Sequence, residues 1–138
     1  MQAQTEAIRA TKPFSNARIL IVDDDLEICE SLTMILEMEG YVADKAMCGQ
    51  EAIMFARSRS YDLVLVDSRL PDIQGERLLQ ILKGLAPDMA AIMISGNQSP
   101  DSSALSLNCC PDAFFIKPMN MERLLEKICE LISKQGRV

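Results

Sequence analysis

Three aspartates, a serine and a lysine each stand where an apolar run ends, and together they make a set of acids, a hydroxyl and an ammonium fit for one reaction centre. Asp67 closes the apolar run Leu63-Val64-Leu65-Val66, and Asp23 and Asp24 close a similar one, Ile19-Leu20-Ile21-Val22. Ser95 and Lys117 follow two more, Ala90–Ile94 and Ala113–Ile116. Short unbroken apolar runs rich in β-branched residues read as strands buried on both faces of a parallel sheet. A strand of that kind delivers its last polar side chain to the carboxyl edge, where open α/β folds keep their ligand crevices. Several carboxylates gathered there repel one another unless a cation sits among them, and hard oxygen donors with room for water suit Mg²⁺. A carboxylate so held is a nucleophile, a metal ligand or both. Taken alone, each of these aspartates reads as well as a turn residue or a helix cap.

The same residues exclude other chemistry. A phosphate cradle after the first strand needs glycines and free backbone N–H groups, whereas Asp23-Asp24-Asp25-Leu26-Glu27 stands there. A flavin or dinucleotide site is therefore disfavoured, and the run also lacks the alternating acids and central glycine of an EF-hand. The chain contains no histidine, which removes His-based triads, the usual zinc sites and phosphohistidine chemistry. If phosphoryl transfer happens here, the histidine belongs to another protein. A net charge of −6 argues against nucleic acid as a direct partner. The five cysteines include the neighbours Cys109-Cys110, lack paired metal spacing and fit reduced thiols in the cytoplasm. No apolar run approaches the ~20 residues of a membrane span, and the first residues lack a signal-peptide core.

Strand and helix patterns alternate along the chain. Ala17–Val22 is a first strand, followed by a helix with Asp25 as N-cap, Ile28, Leu32, Ile35 and Leu36 on one face, and Gly40 as its stop. Tyr41–Ala46 is a more polar strand suited to an edge. Gly49–Arg59 reads as a second helix with Ala52, Ile53 and Ala56 inward. After the strand ending at Asp67, Glu76–Leu85 is a third helix, with Gly84 and Pro87 closing it. Residues 97–111 are the least regular, with Pro100-Asp101 opening a short fourth helix through Leu107. The final helix, Met121–Ser133, carries Leu124, Leu125, Ile128, Leu131 and Ile132 at helical spacing. Such an alternation predicts an α/β fold, a doubly wound (βα)5 five-stranded parallel sheet covered on both faces. With 138 residues and 49% hydrophobic content, the chain suffices for one core. Residues 17–134 are the expected domain, 1–16 a flexible extension, and 135–138 a tail or the start of a linker.

Four segments in order, Ile-Leu-Ile-Val-Asp-Asp-Asp, Leu-Val-Leu-Val-Asp-Ser-Arg-Leu-Pro-Asp-Ile-Gln-Gly, Met-Ile-Ser-Gly and Phe-Phe-Ile-Lys-Pro, resemble the response-regulator receiver domain of two-component signalling. The resemblance implies a flavodoxin-like receiver fold with Asp67 as phosphoacceptor. It implies Asp24 and Asp67 as direct Mg²⁺ ligands, Asp23 acting mainly through water, and Arg69 offering its backbone carbonyl. Ser95 matches the family's hydroxyl, Lys117 the lysine that pairs with the phosphoryl group, and Phe114 the aromatic switch position. Cys109-Cys110-Pro111 stand where small residues usually precede the fifth strand, and Gly96 follows Ser95 where alanine is frequent.

The resemblance further implies a phosphoryl donor, either a sensor histidine kinase or a histidine phosphotransfer protein. It implies a signalling module rather than a turnover enzyme, with effector contact or homodimer formation through the fourth helix, fifth strand and last helix. The competing function is a metal-dependent phosphatase with an Asp nucleophile. Such enzymes place a second Asp two residues on as acid/base, and here that position is Arg69.

Overall fold

The computed structural model describes residues 16–96 and 111–134. Its strands are β1 (Arg18–Val22), β2 (Val42–Ala46), β3 (Leu63–Asp67), β4 (Ala90–Ser95) and β5 (Ala113–Ile116). They form one parallel sheet of five strands in the order β2-β1-β3-β4-β5. Four helices are described, α1 (Leu26–Met38), α2 (Gly49–Ser58), α3 (Gly75–Leu85) and α4 (Met121–Ser133). The doubly wound sheet is thus as expected. The helix expected to open at Pro100, and the Cys109-Cys110 pair, lie outside the described residues.

Alternation along the strands divides the core into two layers. Ile19, Ile21, Leu63, Leu65, Ile92 and Ile94 face α1 and α4, packing with Leu32, Leu36, Leu124 and Ile128. Leu20, Val22, Val64, Val66 and Met93 face the other way, against Ala52, Leu78, Leu79 and Leu82 of α2 and α3. Because side chains alternate with a period of two, strands buried on both faces must be apolar throughout. β3 and β4 are buried along their whole length, whereas β2, at the edge, keeps a polar sequence and partial exposure. Helix boundaries follow local chemistry. Asp25 accepts hydrogen bonds from the Glu27 and Ile28 amides at the start of α1, and Gly40 ends that helix with φ 97, a left-handed conformation easy only for glycine.

Sequence and structure differ in detail. Ala17 is buried just ahead of β1, and α3 starts one residue earlier, at Gly75, while it ends at Leu85 as expected. Cys29 joins the buried face of α1, where it behaves as a small hydrophobe. Burial pushes its thiol up to about 11.

A polar cluster ties β2 to the end of α2 and the approach to β3. The Tyr61 hydroxyl donates to Asp44 Oδ2 at 2.6 Å, and Arg59 donates to the same oxygen at 2.9 Å. Burial works against the Asp44 carboxylate, yet the Tyr61 and Arg59 hydrogen bonds outweigh it and hold the group below the ordinary aspartate range. Burial, and then Asp44, push the Tyr61 hydroxyl up to about 12. A carboxyl depressed on folding contributes stability present above its unfolded pKa and lost as pH falls through the folded one. Tyr61→Phe is therefore expected to cost roughly 1.5–3 kcal/mol at neutral pH, as for a hydrogen bond to a charged group. In urea unfolding, the gap from wild type should narrow as acid protonates Asp44; a constant gap would mean that the hydroxyl acts elsewhere.

Candidate functional site

The strand order reverses direction between β1 and β3, the switch point at which such sheets open their ligand crevice. Asp23 follows β1 directly, Asp67 is the last residue of β3, Ser95 the last of β4, and Lys117 follows β5. The sheet register thus brings to one edge residues separated by up to 94 positions.

Asp23, Asp67 and Ser95 are the buried polar residues here, while Asp24 stands exposed beside them. One carboxylate oxygen from each of Asp23, Asp24 and Asp67 lies within 4.8 Å of the others. That donor set, hard, anionic and partly open to water, fits Mg²⁺. Lys117 Nζ donates to Asp23 Oδ2 at 3.2 Å and to Asp67 Oδ2 at 3.3 Å, so one ammonium serves both buried carboxylates. Burial pushes the Asp23 carboxyl above its ordinary range and the neighbouring Asp67 charge adds to this, while the Asp25 amide and Lys117 pull the other way. Burial opposes the Lys117 charge too, but the hydrogen bonds and charges of the two aspartates prevail and hold its pKa above the ordinary lysine value.

Backbone amides orient the carboxylates. Asp25 N–H donates to Asp23 Oδ1 at 2.9 Å and Arg69 N–H to Asp67 Oδ1 at 3.1 Å. The loop from Ser68 to Gln74 is pinned at its base, where Gly75 N–H donates to Ser68 O at 3.0 Å and Arg69 bridges Gln74. A Cβ at Gly75 would collide with the Asp67 carbonyl and with Ser68 Cα, so glycine lets the chain turn this tightly into α3.

Two contacts escape a reading of the sequence. Ser68, next to Asp67, shares a hydrogen bond of 3.0 Å with the Ser95 hydroxyl. The Cys29 thiol donates to the Asp23 carbonyl at 3.1 Å. Ser68 was discoverable in principle, since a residue following a strand's last position lies beside the neighbouring strand's end. Phe114 pairs in register with Met93 and is half-buried against the layer containing Leu78 and Leu79. The structure accordingly gathers Asp23, Asp24, Asp67 and Lys117, with Ser95 reached through Ser68, and leaves Phe114 two strands away from Asp67.

Comparison with known proteins agrees with this geometry. Residues 19–129 match the model of the response regulator receiver domain family. A CheY-like receiver domain protein from Methanospirillum hungatei is 41% identical, superposes with a TM-score of 0.83, and is matched over 89% of this chain and 98% of its own. The response regulator TrrA of Thermotoga maritima, solved in complex with Mg²⁺-BeF, is 33% identical with a TM-score of 0.75, matched over 83% of this chain and 98% of its own. The transcriptional regulatory protein PrrA of Mycobacterium leprae is 26% identical across 122 residues, 88% of this chain but 52% of PrrA. The chain therefore spans about half the length of that relative. With the sheet order, the acidic cluster and the family match in agreement, the chain belongs to the response regulator receiver domains of two-component signal transduction.

Proposed function

We propose that this domain is a phosphorylation-dependent switch that accepts a phosphoryl group on Asp67 from a phosphohistidine. The observation that carries the reading is the pairing of buried Asp67 with Lys117 at 3.3 Å, beside Asp23 and Asp24. Asp24 and Asp67 would hold Mg²⁺ directly, Asp23 through water, and Arg69 by its carbonyl. The ion would neutralise phosphoryl oxygens during transfer.

The rest of the chemistry falls to the chain. Asp67 Oδ attacks phosphorus in line as the bond to the donor's imidazole nitrogen breaks, leaving an acyl phosphate and a neutral imidazole once a proton is taken up. Lys117, already between the carboxylates, shifts its hydrogen bonds to the new phosphoryl oxygens. The Arg69 amide, donating to Asp67, keeps the carboxylate from rotating away. A groove of about 530 Å³ lined by Ile28, Leu32, Lys117, Met119 and Met121 is the face offered to the donor, a histidine kinase or phosphotransfer protein. On this reading residues 17–134 are the working unit, with 1–16 an extension and 135–138 a tail or linker, in the cytoplasm. The domain promotes its own phosphorylation and is not a turnover enzyme. The phosphatase alternative is disfavoured because Arg69 stands where a second Asp is needed.

The output runs through Ser95. Its hydroxyl, held by Ser68 at rest, would swing to the phosphoryl group, and Phe114 would repack into the space vacated. As Phe114 has no hydroxyl, packing alone registers the change, and β5, α4 and the expected fourth helix form the altered surface for an effector or a second copy. With beryllofluoride and Mg²⁺ as a phosphoryl mimic, wild type is expected to change assembly state or effector affinity, and Ser95→Ala to lose most of that response. Light scattering of both proteins checks this; equal responses would remove Ser95 from the mechanism. Absence of any Mg²⁺-dependent phosphoryl uptake from acetyl phosphate would overturn the proposed function itself.

A further inference from the structure

Asp72 sits near the tip of the Ser68–Gln74 loop, exposed, and performs a task that α2 cannot perform for itself. The N-cap of α2 is Cys48, which makes no side-chain capping hydrogen bond. A helix start leaves backbone N–H groups without intrahelical partners. Asp72, from a loop more than twenty positions away, supplies two of the missing acceptors: Gly49 N–H donates to Oδ1 and Gln50 N–H to Oδ2, each at 2.9 Å. Those two bonds are charge-assisted and favoured by the positive end of the helix dipole. The Gly49 amide, with that of Gln50 adding to it, holds the Asp72 carboxyl below its usual range against the opposing effect of burial.

The loop's next side chain also packs closely on the helix start. A Cβ on Gly49 would run into the Ile73 side chain, so a larger residue at 49 would force Ile73 to shift. The loop is then fixed at three places. Gly75 and the Arg69–Gln74 bridge fix its base, and Asp72 fixes its tip to the start of α2. Arg69, part of that base, donates its N–H to Asp67 Oδ1.

We propose that Asp72 is a positioning residue for the cation and phosphoryl site. By stapling the loop to α2 it sets where Arg69 stands relative to Asp67, and so determines how well the acidic cluster binds a divalent cation. The proposal rests on the reading that Asp24 and Asp67 bind Mg²⁺, and deepens it. Outer contacts that orient ligands typically cost 10- to 100-fold in metal affinity when removed. Since Asp72 acts through backbone rather than on a ligand atom, the lower end is expected.

The test is an amide NMR titration of the full chain with Mg²⁺, together with hydrogen exchange at Gly49 and Gln50. Asp72→Ala is expected to bind Mg²⁺ about tenfold more weakly, with altered shifts at Ser68 and Arg69 and faster exchange at both capped amides. Asp72→Asn, whose amide oxygen can accept only one of the two hydrogen bonds, should recover part of the affinity and protect one amide. A merely structural cap would give a different result: faster exchange and lower stability with wild-type Mg²⁺ affinity, which overturns the proposal. If Asp72→Ala fails to fold, Asp72→Asn supplies the same comparison against wild type. Asp24→Asn separates this idea from the reading beneath it. Mg²⁺ binding that survives Asp24→Asn overturns both, whereas binding that is lost there and unchanged in the Asp72 variants overturns the staple alone.

Discussion

Asp67→Asn is expected to take up no phosphoryl group from acetyl phosphate or a phosphohistidine donor, where wild type takes up one per chain. The substitution is nearly isosteric, so the buried position at the end of β3 and the hydrogen bond from Arg69 N–H can both persist. What disappears is the anionic oxygen. A carboxamide oxygen is a poor nucleophile toward phosphorus, and the acidic cluster loses one of its three carboxylates, weakening its hold on a divalent cation. Lys117 also loses one of its two ion-pair partners. Intact-protein mass spectrometry checks the outcome, and labelling of the variant at the wild-type rate would remove Asp67 from the role.

Lys117→Ala is expected to slow phosphoryl uptake by about 10²-fold at saturating Mg²⁺, the usual cost of deleting one preorganised electrostatic partner of the transferring group. Asp23 and Asp67 are 5% and 8% exposed at the side chain, so removing the ammonium leaves two buried anions facing one another without their counterion. Asp23, already raised by burial, should rise further and hold its proton to a higher pH. Lys117→Arg should not restore the rate, since a planar guanidinium cannot place its charge as a compact ammonium does. Initial rates of uptake for the three proteins measure this. Full activity of the alanine variant would make Lys117 a purely structural counterion.

The sheet and the site edge were legible because burial on two faces leaves little freedom of composition. Runs such as Leu63–Val66 and Ala90–Ile94 have no polar residue until the strand leaves the core, so the first polar side chain marks the edge. Asp67, Ser95 and Lys117 are readable for that reason alone. Partners that act across the sheet were harder to read, and Ser68 alone had a cue, its place directly after a strand end. The Ser68–Ser95 bond spans 27 positions and the Asp72 cap on α2 spans 22 and 23; neither has any local periodicity to betray it. Cys29 was passed over for a different reason, since Ile28, Leu32, Ile35 and Leu36 already made a helical face and its place in the core depends on how α1 sits on the sheet. The Asp44–Tyr61–Arg59 cluster likewise depends on register between an edge strand and the end of a helix.

The central claim is that Asp67 carries the phosphoryl group, and the most direct measurement is its location in the wild-type chain. Phosphorylation with acetyl phosphate and Mg²⁺, followed by borohydride, reduces an aspartyl phosphate to homoserine, which peptide mass spectrometry places at a single residue. Homoserine at position 67, absent when Mg²⁺ is chelated beforehand, is the expected result. Homoserine at Asp23 or Asp24, or unmodified Asp67 in a chain that has gained phosphate, would contradict it.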